Sequence, residues 1–267
     1  MNSFSETTLR LIFFVGLLLL LALAESLWPQ QRRRARRGRR WSVNLGMVVI
    51  DSFALRLLLP WTAVLAALWA DAQGIGLLNL LHAPILVAWT VTLLALDLLI
   101  YGQHRLMHIW GPLWRLHRVH HTDLALDVTS ALRFHPLEII LSMLIKIAAV
   151  LVLGAPAGAV LTFEVLLNGL AMFNHANLAL PVPVDRVLRW LIVTPDMHRI
   201  HHRPDRREHD RNYGFNISVW DRLFRSYRDQ PAAPQATMEL GLHRFRSDDT
   251  QRMGALLMQP LRGDEEH

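Results

Sequence analysis

Apolar and polar positions along this chain do not alternate; they separate into long blocks. Four apolar blocks occupy residues 9–28, 43–70, 84–101 and 137–180. A helix needs roughly 20 apolar residues to cross a bilayer, so each of the first three reads as one span. The fourth is too long for one. GAPAG at 154–158 interrupts it with glycine and proline and turns it into a helical hairpin. The chain then divides into N-terminal transmembrane helices (1–101), a polar segment (102–136), a transmembrane hairpin (137–180) and a polar C-terminal part (181–267). The predicted class is all-α integral membrane.

Composition narrows the chemistry. The chain of 267 residues is 52% hydrophobic and has no cysteine. That excludes disulfides, cysteine-held iron–sulfur clusters and thiolate-ligated haem. Any metal must be held by histidine or carboxylate. The formal charge of +6 rests on arginine, since Lys146 is the only lysine. In a chain of membrane spans that excess reads as topology and not as nucleic-acid binding. The cluster QRRRARRGRR at 31–40 follows the first span. A signal peptide carries its positive charge ahead of its apolar core, so the first span reads as an uncleaved anchor. Positive residues stay on the cytoplasmic side. The N-terminus is then outside, and counting spans puts 102–136 and 181–267 together on the cytoplasmic face. The arginine-heavy, lysine-poor composition is that of a bacterial protein, so a bacterial plasma membrane is the expected location.

A histidine pattern recurs beside the spans: HRLMH at 104–108, HRVHH at 117–121 and HRIHH at 198–202. Helical residues three and four apart share a face. His104 with His108, His117 with His120 and His121, and His198 with His201 and His202 have this spacing. Each box is expected to present its imidazoles to one point. Neutral imidazole is a common ligand of iron, zinc and copper. Eight histidines exceed the about four to six ligands of one ion, so two ions with an open position fit better. His82, His209, His243 and His267 stand alone and read as ordinary surface or core residues. His175 also lacks a partner histidine, and spacing alone leaves its role open.

These boxes resemble those of the membrane fatty acid hydroxylase/sterol desaturase superfamily. ALRFHPLE at 131–138, FNHANL at 173–178 and NYGFNISVWDRLFRSY at 212–227 agree with it, in the same order. The resemblance implies about four transmembrane helices, plus or including the hairpin, capped by a cytosolic helical domain that carries the boxes. It implies two iron ions as cofactors, oxygen as co-substrate, and attack at an unactivated C–H bond of a lipid. It also implies His175 as a ninth metal ligand. Fatty acid 2-hydroxylases have a second histidine near that position which is missing here, and this argues against that subgroup. His135 matches a shared position, while its neighbour Pro136 suggests a turn; it is expected beside the ligands or along the substrate channel.

Other residues complete the expectation. Asp97, Tyr101, His104 and His108 form one helical stripe. An acid inside a span is costly and usually functional. Asp97 either accepts a hydrogen bond from a ligating histidine or makes a polar contact to a neighbouring helix. Lys146 and Glu164 lie at matching distances on either side of the GAPAG break and are expected to meet as a structural ion pair. Asp123 and Asp196, beside the second and third boxes, are candidates for orienting histidines. Asn212 and Trp220-Asp221-Arg222 are expected to fold the C-terminal part over the site. The sequence has no flavin or nicotinamide fingerprint, so electrons are expected from a separate redox carrier or reductase. Arg199, Arg203, Arg206, Arg207 and Arg211 offer it a docking face, or else contact lipid. The expected activity is hydroxylation of a fatty acyl, sterol-like or related lipid, with desaturation or ether-lipid cleavage as alternatives. The alternative of a different class is a haem-binding membrane electron carrier, whose histidines would face each other across mid-bilayer helices; these boxes sit at span ends.

Overall fold

The computed structural model describes residues 3–32 and 37–263; positions 33–36 of the arginine cluster and His267 lie outside the described residues. Five helical stretches among the described residues are long and apolar enough to cross a membrane. The first run is α1 (Ser3–Leu27). The second is not one straight span. α2 (Arg37–Leu58) stops ahead of Pro60, and α3 (Ala63–Ala72) restarts after Thr62, whose hydroxyl accepts from Leu65 N at 3.1 Å. Proline has no N–H for the helical ladder and clashes with the preceding turn, so the helix expected over 43–70 breaks there. A short α4 (Leu77–Leu80) follows.

α5 (Ile85–Ile109) has 25 residues, roughly 37 Å at 1.5 Å per residue. A bilayer core is about 30 Å thick. The helix therefore outreaches the hydrocarbon, and its last two turns carry His104 and His108. α6 (Gly111–His121) follows at once with the second box. A 3-10 turn, Val128–Leu132, capped by Asp127, leads into α7 (Pro136–Leu153). Gly154 ends α7 in the left-handed conformation at φ 65°, and α8 (Ala157–His175) runs back. This is the hairpin read from GAPAG. α9 (Val182–Leu188), α10 (Pro195–His201) and shorter turns form a cap over one end of the bundle.

Packing explains why the spans stay together. Far from the histidines, Ala63, Ala66 and Ala67 of α3 lie against Leu96, Val150 and Phe163 of α5, α7 and α8. Small side chains let membrane helices approach closely. At that end a Cβ on Gly76 would collide with the backbone of Gly154. Nearer the histidines, Leu18 and Leu21 of α1 pack on Ala171 and Met172 of α8. Leu256, from the C-terminal helix Met253–Leu257, fits against Val43, Met47 and Val119, which docks that stretch onto α2 and α6. Inside the bundle, Lys146 Nζ lies 2.7 Å from Glu164 Oε1, and Arg10 lies 2.7 Å from the other oxygen. This ionic cluster ties α1, α7 and α8. Outward residues such as Leu19, Leu20, Leu23 and Phe53 are exposed and apolar, as a lipid-facing surface requires.

Candidate metal centre

The nine histidines of the boxes and α8 are all buried, at most 2% exposed. They converge, but not box by box. His104, His108, His117, His121 and His201 form one group; His120, His175, His198 and His202 form the other. Within each group the ligand atoms lie within 4.8 Å of one another. The expectation that each box points to one place is thereby corrected. In a helix the i+4 residue lies roughly 40° to one side and the i+3 residue roughly 60° to the other. His117 and His121 accordingly share a group while His120 turns away, and His198 and His202 share one while His201 crosses over.

Backbone carbonyls fix the tautomers. His104 Nδ1 donates to Tyr213 O, His201 Nδ1 to Arg211 O and His175 Nδ1 to Ala171 O, each at 2.7 Å. A carbonyl only accepts, so a neutral ring bonded this way keeps its lone pair on Nε2. Burial pushes the His117 imidazole down to about 3. Burial first, and neighbouring imidazoles second, hold His120, His121, His198 and His202 well below the usual range. His201 is lowered in the same way, by burial and then by His104. These rings are neutral. Acids orient two more: His117 Nδ1 lies 2.7 Å from Glu138 Oε1, and His108 Nδ1 lies 3.3 Å from Asp210 Oδ1.

The Nε2 atoms then face one another. His104 Nε2 is 3.0 Å from His201 Nε2 and 3.1 Å from His117 Nε2. His175 Nε2 is 3.0 Å from those of both His120 and His198. Between His104 and His201, whose tautomers the carbonyls fix, the opposed lone pairs repel at this distance unless a cation lies between them. The donor set fits one metal ion in each group.

A loop holds the carbonyls in place. Asp221 accepts from Tyr213 N and Gly214 N at 2.8 Å and from Ser226 Oγ at 2.7 Å. Asn212, at φ 54°, donates to Met197 O and Arg228 O at 3.0 Å. Asp97 accepts from Trp220 Nε1 at 2.8 Å, so its partner is this loop and not a histidine.

The remaining candidates have structural partners. Asp123 accepts from Arg40 at 2.7 and 2.8 Å and from Ser130 at 2.8 Å. Its burial raises the carboxyl, but Arg40 outweighs that and holds it well below the usual carboxylate range. It pins α2 to the turn after α6 and orients no histidine. Asp196 pairs with Arg199. Arg199 is only 1% exposed, so it forms no part of the docking face read from the sequence, whereas Arg206, Arg207 and Arg211 are exposed. His135 caps α7: its Nδ1 accepts from Leu137 N at 3.2 Å, and its Nε2 donates to Leu257 O at 3.1 Å. Sequence reasoning misses Glu138, Asp210 and the two loop carbonyls. Glu138, an acid heading an apolar run, is a visible signal; a carbonyl gives none. His209, read as an ordinary lone residue, is buried, stacks on Trp114 at 5.3 Å and lies 5.9 Å from His108.

A cavity of about 380 Å³ reaches His104 and His117 between Ile100, Met107, Leu132, Phe134, Ile139 and Phe215. It shares Phe14, Val48, Ser52 and Asn168 with a more open cavity of about 580 Å³ between α1, α2 and α8. Together they make a mainly apolar path from the lipid-facing surface to the first histidine group.

Residues 89–226, more than half of the chain and including all nine histidines, match the fatty acid hydroxylase family. An ornithine lipid hydroxylase of Rhizobium tropici is 30% identical over 133 residues, 49% of this chain and 39% of that relative. Alkylglycerol monooxygenases of Xenopus tropicalis and Homo sapiens are 27% and 28% identical over 140 residues, 52% of this chain and 30% of each relative. The chain thus spans well under half the length of these relatives. No solved structure matches it. The order of the boxes, their convergence at one end of a membrane bundle and the matched length lead to one assignment: the chain belongs to the fatty acid hydroxylase family of the sterol desaturase superfamily.

Proposed function

We propose that the protein is a membrane-bound, oxygen-dependent lipid hydroxylase with two iron ions held by the nine histidines. One observation carries this reading. The Nε2 atoms of His117 and His201 lie 3.1 and 3.0 Å from that of His104, where at least His104 and His201 have no proton to share, and they do so at the end of a mainly apolar path. Bound iron supplies oxygen activation and the oxidising power needed at an unactivated C–H bond. The chain supplies position and protection. Glu138, Asp210 and the loop carbonyls hold the rings in one orientation and one tautomer. Phe134 stacks on His120 at 4.4 Å and Phe215 lies 4.9 Å from His104, so the walls beside the ligands are apolar. An acyl or alkyl chain enters from the bilayer, and water is kept from the reacting carbon.

Electrons come from a separate redox carrier, for which Arg206, Arg207 and Arg211 provide a basic face. The positive-inside rule puts the histidines on the cytoplasmic side of a bacterial plasma membrane, with the N-terminus outside. Ring centroids only 4.2 to 5.5 Å apart, as between His175 and His198 or His120 and His121, leave no slot for a porphyrin and weigh against the haem-carrying alternative. The similarity to alkylglycerol monooxygenases favours a second reading at the same site, oxygenation of an ether lipid.

Expression in a bacterium lacking the protein, under heavy-oxygen-labelled O2, followed by lipid mass spectrometry, tests the reading. The expected result is a labelled hydroxylated lipid that is absent with His201→Ala. An unlabelled product short of two hydrogens means desaturation, and unchanged lipids with iron-loaded protein overturn the proposal.

A further inference from the structure

The cavity that ends at His104 and His117 is not wholly apolar. Asp51 of α2 lines it, is only 5% exposed, and its Oδ1 has no hydrogen-bond partner. Gln103 from α5, a half-buried residue whose Oε1 is buried, and Glu138 Oε2 from α7 line the same cavity and are also unmet. Glu164, by contrast, holds Lys146 and Arg10, and Asp97, whose Oδ1 is also unmet, holds Trp220 through its other oxygen and does not line this cavity. A lone ionisable group inside a span is expensive and marks function by default. Here three helices each bring one unmet oxygen to one cavity. That is the complement of a group that donates hydrogen bonds.

Resting on the lipid-hydroxylase reading above, we propose that Asp51 and Gln103 are the polar recognition end of the substrate slot. The lipid taken carries a hydrogen-bond-donating group, a hydroxyl or an ammonium, near the carbon presented to His104 and His117. Glu138 adds its free oxygen while its other oxygen holds His117. Asp51 lies roughly 10 Å of helix beyond Asn44, which bonds Asp123 beneath the cap. The donor is therefore carried into the span with the chain and not left at the interface. A site built to bond a donor rejects the analogue lacking it, because its buried oxygens would stay dry and unmet.

The test uses the whole 267-residue chain, purified with iron supplied, in lipid nanodiscs. Three probes are titrated: 1-O-hexadecylglycerol, hexadecylamine, and the dimethyl ether of the first, which keeps the chain and oxygens but donates nothing. Expected is at least tenfold tighter binding of one donor lipid than of the dimethyl ether. Which donor wins separates hydroxyl from ammonium. Asp51→Leu removes the preference and leaves the dimethyl ether unchanged; Gln103→Leu reduces it. Equal affinities in the wild type, or a preference intact in Asp51→Leu, overturn the proposal. Metal per chain is measured in the same samples. If Asp51→Leu loses its metal through misfolding, Gln103→Leu carries the comparison, and an undiminished preference there overturns it. Wild-type protein that discriminates among the probes yet binds no metal would sink the hydroxylase reading while leaving this one standing.

Discussion

Nε2 of His104 and Nε2 of His201 lie 3.0 Å apart, although the other nitrogen of each ring already donates its proton to a backbone carbonyl. The two residues stand 97 positions apart in the chain. Folding has brought together two lone pairs that gain nothing from each other and would both gain from a cation.

Metal should therefore stabilise the fold as well as serve chemistry. A ligand that binds only the folded state adds about 4 kcal/mol at a thousand times its Kd. Chelation is expected to lower the melting temperature, and added ferrous iron or zinc to restore it. A melting curve indifferent to chelator, with metal shown to be removed, would speak against the centre.

Glu138 positions His117 from 2.7 Å. Loss of such a partner typically costs 10- to 100-fold in metal affinity or activity. Glu138→Gln should fall in that range. His135→Ala, which removes a helix cap and a bond to Leu257 O but touches no histidine ligand, should cost about 1–2 kcal/mol of stability and leave metal content intact. Metal titration of both variants separates the two roles.

Glu164 serves two cations, Lys146 and Arg10, whereas Lys146 serves one acid. Glu164→Leu leaves the buried Lys146 ammonium without its carboxylate and should cost about 3–5 kcal/mol. Lys146→Met leaves Glu164 paired with Arg10 and should cost less. Unfolding in detergent ranks them, and the reverse order would refute the assignment.

Arg40 holds Asp123 below its usual carboxylate range. Its pairing is fully present above the unfolded value of about 3.9 and is lost as pH falls through the folded value. Arg40→Met should cost about 3–5 kcal/mol by stranding a buried acid. The deficit relative to wild type should hold steady from pH 7 to 5 and narrow below about 4. Melting temperatures across that range check both the size and the sign.

Much of this was open to a reader of the sequence, for identifiable reasons. Block hydropathy marks the spans, and GAPAG marks the hairpin turn because glycine and proline act locally. The gathering of eight histidines follows from matched spacing at span ends, whereas His175, which lacks a partner histidine, is reached only through the family resemblance. The division of all nine into five and four does not follow from spacing, since His120 and His121 are neighbours in the chain yet belong to different groups. Only the helical angle between them, in a settled three-dimensional frame, decides that. The tautomers depend on carbonyls of Tyr213 and Arg211, which carry no side-chain signal at all. Asp51 escapes notice for another reason: it is a single acid within an apolar run, and its meaning comes from oxygens on two other helices.

The central claim is that the two histidine groups each hold one ion. Elemental analysis of purified protein, wild type beside His201→Ala and His198→Ala, tests it most directly. The account predicts about two metal atoms per wild-type chain, with about one lost in each variant. Well-folded wild-type protein that binds no metal, or carries haem in its place, would contradict it.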